Sequence, residues 1–139
     1  MIPRFLVVVI LGFCCQLICP AQSVWDKSNI TIGKIEKDGI VRDRNNITIG
    51  KFDSDGDVRD SNNMLAGKIE KNGAIRDRNN MMLGKVEQNG TVRDKNNMTI
   101  GKVESDGTVR DKNNMTIGYT KDIPKTYAAV FFLLKLFEK

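Results

Sequence analysis

The chain reads as an all-β protein, a closed radial ring of 17-residue β-hairpin repeats around a short apolar C-terminal helix. Three observations carry this reading. Gly33, Gly50, Gly67, Gly84, Gly101 and Gly118 recur at constant spacing within a repeated phrase. Asp-Gly or Asn-Gly falls at the same place in each full copy. The array begins with the second half of a repeat and ends with the first half of one. A repeat this short cannot bury its own apolar face and must stack against its copies.

Residues 1–23 read as a signal peptide. Met1 to Arg4 supply a positive start, Phe5 to Phe13 an apolar stretch too short to span a bilayer, and Ala21-Gln22-Ser23 a small-x-small cleavage pattern. Cys14, Cys15 and Cys19 raise the possibility of a lipid anchor. The residues before them, Phe13, Cys14 and Ile18, are not the small residues that such a site wants. Cleavage after Ser23 removes all three cysteines, and with them any disulfide, thiolate nucleophile or thiolate metal site.

The ring is expected over residues 24–122, with full repeats at 30–46, 47–63, 64–80, 81–97 and 98–114. With Ile30 as position 1, positions 1 and 3 are apolar in every copy, as in an alternating strand. Position 4 is glycine and position 6 is apolar again, so the apolar parity shifts across the glycine, which marks a bulge or bend. Positions 9 and 10 predict a two-residue type I′ hairpin turn, with Gly39, Gly56, Gly73, Gly90 and Gly107 as its structural glycines. A short return strand follows, with Val41, Val58, Ile75, Val92 or Val109 at position 12. Arg-Asp-x-Asn-Asn then makes a second turn, where Asn tolerates a left-handed backbone. The strands are too short for an outer-membrane barrel.

The ends of the array predict closure. Val24-Trp25-Asp26-Lys27-Ser28-Asn29 aligns with Val41 to Asn46, and Met115 to Tyr119 opens a further copy. Pairing of the two completes a sixth, composite hairpin and removes exposed sheet edges. The last segment, 123–139, is expected to be helical. Pro124 suits a helix start, and the run from Tyr127 to Leu134 is apolar all round, which implies burial. The axis of the ring is its natural place, with a membrane surface as the rival.

The charges, 22 basic and 17 acidic residues, alternate along the repeat, and a nucleic-acid footprint is not expected. The chain has no histidine. Near-identical repeats give each carboxylate the same surroundings, against the divergent pair that acid–base catalysis needs. An enzyme is therefore not expected, nor a cofactor or metal. Asp53-Ser54-Asp55-Gly56-Asp57 suggests a calcium loop, but Gly56 is fourth where an EF-hand wants it sixth. Arg42, Arg59, Arg76, Arg93 and Arg110, each followed by Asp, would form two rings of like residues. They are read chiefly as an Arg–Asp lattice between petals. As a repeated ligand site they would offer planar forks to a glycan or anionic ligand.

The repeats GKIExDGxVRDxNN, closing in Ile-Gly-Tyr and followed by Ile-Pro-Lys-x-Tyr-Ala-Ala-Val-Phe-Phe, resemble the bacterial 5-fold β-flower proteins of Bacteroidetes-type organisms. The resemblance implies a shallow ring of petals around a C-terminal apolar helix, and an exported protein. It brings no catalytic residue. The expectation is an exported, non-catalytic binding or structural protein of the bacterial cell envelope, periplasmic, surface-bound or secreted. The alternative is a lipid- or membrane-associating protein that acts through the tail.

Overall fold

The computed structural model describes residues 21–137. Twelve antiparallel strands form a closed barrel. They are β1 (Ala21–Asp26), β2 (Thr31–Glu36), β3 (Ile40–Asp43), β4 (Thr48–Phe52), β5 (Asp57–Asp60) and β6 (Leu65–Ile69), then β7 (Ala74–Asp77), β8 (Met82–Val86), β9 (Thr91–Asp94), β10 (Thr99–Val103), β11 (Thr108–Asp111) and β12 (Thr116–Thr120). The expected signal peptide lies outside the described residues as far as residue 20. Ala21, Gln22 and Ser23, read as its cleavage site, are strand residues that pair with Glu36, Ile35 and Lys34. The barrel thus starts before the expected boundary at residue 24.

Closure occurs where the half-repeats meet. Val24, Trp25 and Asp26 pair with Thr120, Tyr119 and Gly118. Five full hairpins and one composite hairpin make the ring. In the full repeats the pair equivalent to Trp25 and Tyr119 is Arg with Lys, as in Arg42 opposite Lys34 and Arg93 opposite Lys85. The seam, which has no covalent turn to hold it, replaces a like-charged cross-strand pair by an aromatic one. Cross-strand aromatic pairs stabilise a sheet, whereas like charges directly opposite weaken it.

The parity shift at glycine is a β-bulge. Val41 pairs with Gly50 and Arg42 with Thr48, so Ile49 is the extra residue, and β5 on β6 and β7 on β8 repeat the pattern. The bulge keeps position 3 against the core while position 4 also faces inward. It does not do the same for position 1. Ile30, Ile47, Met64, Met81, Met98 and Met115 are 57–65% exposed, against the inward alternation read from the sequence. They precede the strands, and their backbone is committed to the turn: Asp43 N–H donates to the Ile47 carbonyl, and Asp43 Oδ1 accepts from Ile47 N–H.

Both kinds of turn share one geometry, which corrects the type I′ expectation. Gly39 N–H donates to the Glu36 carbonyl, and among the two central residues neither Lys37 nor Asp38 has positive φ. Gly39 itself does, at +95°, as the bulge residue that follows a type I turn. In the other turn Asn46 takes that place, with φ +66°. The two turn types lie at opposite ends of the barrel. The end with Asp-Gly or Asn-Gly is the first rim; the end with Asp-x-Asn-Asn is the second.

Two layers of the core come from the strands. Val24, Val41, Val58, Ile75, Val92 and Val109 are fully buried, and each such side chain contributes about 1.5–3 kcal/mol. Ile35, Phe52, Val86, Val103 and Thr120 line the next layer toward the first rim. The rest is filled by the tail. Helix α1 (Lys125–Ala129) continues as a π-helical turn (Val130–Leu134). Lys125 Nζ donates to the Gln88 carbonyl at the first rim, and Tyr127 stacks on Phe52 with centroids 4.0 Å apart. Ala128, Ala129 and Val130 are fully buried. The helical part is shorter than the expected 123–139. Pro124 is extended, and Lys135, with φ +52°, ends the helix and turns the chain so that Leu136 and Phe137 pack against the barrel.

The six repeat glycines meet six different tail side chains. A Cβ at Gly33, Gly50, Gly67, Gly84, Gly101 or Gly118 would run into Phe131, Phe137, Leu136, Leu134, Leu133 or Phe132 respectively. It would also strike the carbonyl of the residue opposite, as at Gly101, where the Arg110 oxygen would be 2.5 Å away and Leu133 Cδ1 2.7 Å. Glycine here makes room both for the bulge and for the filling.

Gly101→Ala is expected to lower stability by about 1–3 kcal/mol, the range for an overfilled core, read as a fall in the thermal midpoint by circular dichroism. Asn80→Gly is expected to hold or raise that midpoint. Asn80→Val, which forces a β-branched residue into φ +66°, is expected to cost about 1–2 kcal/mol. A Trp25→Ala, Tyr119→Ala double-mutant cycle is expected to give a favourable coupling of about 0.2–1 kcal/mol.

Candidate functional site

The five repeat arginines form a belt on the outer wall, but their partners are not the adjacent aspartates. Nε of Arg42, Arg59, Arg76, Arg93 and Arg110 donates to Glu36, Asp53, Glu70, Glu87 and Glu104, at 2.8–3.2 Å. Successive strand residues face opposite ways, so an Arg and the Asp after it diverge. The carboxylate lies diagonally across the hairpin instead. Nη1 of each Arg donates to the carbonyl of the left-handed Asn, as Arg42 does to Asn46, and where position 2 is threonine also to its hydroxyl, as in Arg42 to Thr48 at 2.9 Å. These bonds tie each hairpin to the next turn, so the belt does link petals, through glutamate and backbone. The aspartate caps its own turn: Asp43 Oδ1 accepts from Asn45 and Ile47 N–H at 2.8 and 3.0 Å.

Asp53, Asp55 and Asp57 come together, their carboxylate oxygens within 4.8 Å of one another. Arg59 bonds Asp53 at 2.9 Å and reaches Asp57 at 3.7 Å, while Lys51 lies 3.7 Å from Asp53. The hydrogen bond to Asp53, with the charges of Asp57 and Asp55 behind it, raises the Arg59 pKa further above its already high value against the opposing effect of desolvation. Arg59 and Lys51 thus offset two of the three negative charges. In the last repeat, Thr108 donates through backbone and hydroxyl to Asp106 and holds its pKa below the ordinary carboxylate value. That contribution is fully present above the unfolded value of about 3.9 and is lost as pH falls through the lower folded value.

The second rim is different in kind. The eight exposed large apolar side chains of the described residues, the position 1 ring together with Leu65 and Met82, all lie there. At the turn tips stand Lys27, Arg44, Arg78, Lys95 and Lys112, all exposed. One turn departs, with Ser61 in place of the basic residue. The strand after it carries Ala66 where the other copies have Ile or Leu. The two small residues open a recess of about 410 Å³, lined by Ile47, Ile49, Asp60, Ala66, Arg78 and the tail residues Leu136 and Phe137. The sequence carried the signal, a serine and an alanine out of pattern on either side of one repeat boundary. What it did not carry is that the tail supplies the floor.

The described molecule is thus a plugged ring of β-hairpins with chemically distinct rims. A sequence model of the 5-fold beta-flower proteins matches residues 21–135, and the chain belongs to that family. No curated protein and no solved structure matched.

Arg93→Ala is expected to cost less than about 1 kcal/mol, because the Arg93–Glu87 pair is solvent-exposed on one side. Urea unfolding of the single variant and of Arg93→Ala with Glu87→Ala measures it.

Proposed function

We propose that this is a non-catalytic binding protein of a bacterial cell envelope, of Bacteroidetes type, exported by its N-terminal segment, and that the recess at the second rim is its ligand seat. The observation that carries the reading is the broken symmetry. The turn tips of the second rim are otherwise basic and position 3 is otherwise Ile or Leu; both give way at Ser61 and Ala66, and the result is a concave, largely apolar site. Its volume falls within the roughly 300–1,000 Å³ of small-molecule sites. Leu136, Phe137, Ile49 and Ala66 supply apolar contact, and Arg78 and Asp60 give polar groups at the edge. This favours a small amphiphile, an apolar chain with an anionic or hydroxylated head. The arginine belt is scaffolding in this reading, since Nε and Nη1 of each guanidinium bond carboxylates and carbonyls of the barrel itself. Ala128, Ala129 and Val130 of the tail are fully buried, which speaks against the tail acting on lipid as a free apolar arm.

Ala66→Leu fills the recess from its wall. Octanoate and octyl glucoside are expected to raise the thermal midpoint of the parent chain by several degrees and that of Ala66→Leu by none. Equal shifts in both, or none in either, would sink the reading.

A further inference from the structure

The position 1 side chains lie outside the core that holds the barrel together. Ile30, Ile47, Met64, Met81, Met98 and Met115 stand 57–65% exposed while the core forms without them. A soluble surface rarely gathers large apolar side chains into one patch without using it. We propose that the second rim is a docking surface for an anionic lipid bilayer, with these side chains entering the interface and the turn tips meeting the headgroups.

Charge selects the occupant. Lys27, Arg44, Arg78, Lys95 and Lys112 alternate with the apolar residues around the rim, and Lys135 is exposed where the tail turns. The aspartates of the same turns, Asp26, Asp43, Asp60, Asp77, Asp94 and Asp111, are folded back, one oxygen of each accepting two backbone N–H groups. The outermost charge is therefore cationic. Apolar side chains flanked by Lys and Arg suit the boundary of an anionic membrane. Two copies placed rim to rim would set cationic tips against cationic tips, which disfavours a second chain as the occupant. The first rim makes the contrast: its tips mix Asp38, Asp55, Asp106 and Asp122 with Lys37, Lys71 and Lys121, and none of the exposed large apolar side chains lies there. The molecule has one face for a membrane and one for water.

This surface is separate from the recess ligand, and the two can be tested apart. The full chain is mixed with phosphatidylcholine vesicles with and without one-third phosphatidylglycerol, and flotation measures the bound fraction. Two variants avoid the recess lining: Met81→Ser, Met98→Ser, Met115→Ser, and Arg44→Gln, Lys95→Gln, Lys112→Gln. Circular dichroism confirms that both melt like the parent. The parent is expected to float with anionic vesicles and to lose binding as salt is raised. Each variant is expected to bind at least tenfold more weakly, and Ala66→Leu to bind like the parent. Absence of binding to anionic vesicles at low salt would overturn the proposal, as would variants that bind undiminished. So would a concentration-dependent dimer in sedimentation velocity that the methionine variant abolishes without change in flotation. Loss of vesicle binding in Ala66→Leu alone would refer the lipid to the recess and overturn the rim.

Discussion

A twelve-stranded barrel encloses more space than its own side chains fill, and the architecture depends on how that space is occupied. Position 4 of the repeat withdraws its side chain altogether, and the tail puts a different phenylalanine or leucine against each of the six glycines. The arrangement matches a sixfold ring to a tail with no symmetry. Consecutive residues Phe131 to Leu134 reach four glycines through helical geometry, and the left-handed Lys135 turns Leu136 and Phe137 onto the remaining two. Dense packing is what makes such an interior worth having, since voids forfeit the contacts on which core stability rests.

The same constraint orders the rest. With the interior closed by valine, isoleucine and tail, the ion pairs are left on the outer wall, where each is worth little and acts mainly to hold a hairpin to the next turn. The closing seam is the one joint without a turn, and there the chain exchanges a Lys–Arg pair for Trp25 and Tyr119. The second rim combines exposed methionine and isoleucine, cationic tips and the recess at Ser61 and Ala66, and these are the features that packing does not require.

Much of this was legible in the residues. Ring closure followed from the half-repeats around Trp25 and Tyr119, the bulge from the parity shift at glycine, and burial of the tail from its apolar run. Other parts were not. Asp-Gly serves a type I′ turn and a type I turn with a bulge alike, and only the backbone angles at Asp38 and Gly39 separate them. Ile30 and Met81 matched the alternation of a buried strand, because a pattern of apolar residues does not show where a strand begins. Arg42 stands beside Asp43 in sequence, yet strand geometry turns them apart and brings Glu36 across the hairpin instead. The recess needed the tail's place as well as the substitutions, and no local pattern joins Ala66 to Phe137.

The filling of the barrel by the tail is tested most directly by removing it. Thermal unfolding of residues 21–137 is compared with that of a chain that ends at Lys121, followed by circular dichroism. The full chain should melt cooperatively, and the shortened one should lack a cooperative transition or melt far lower, because the glycine ring then faces an empty interior. Equal midpoints for the two would contradict the account and leave the tail as an arm that the barrel does not need.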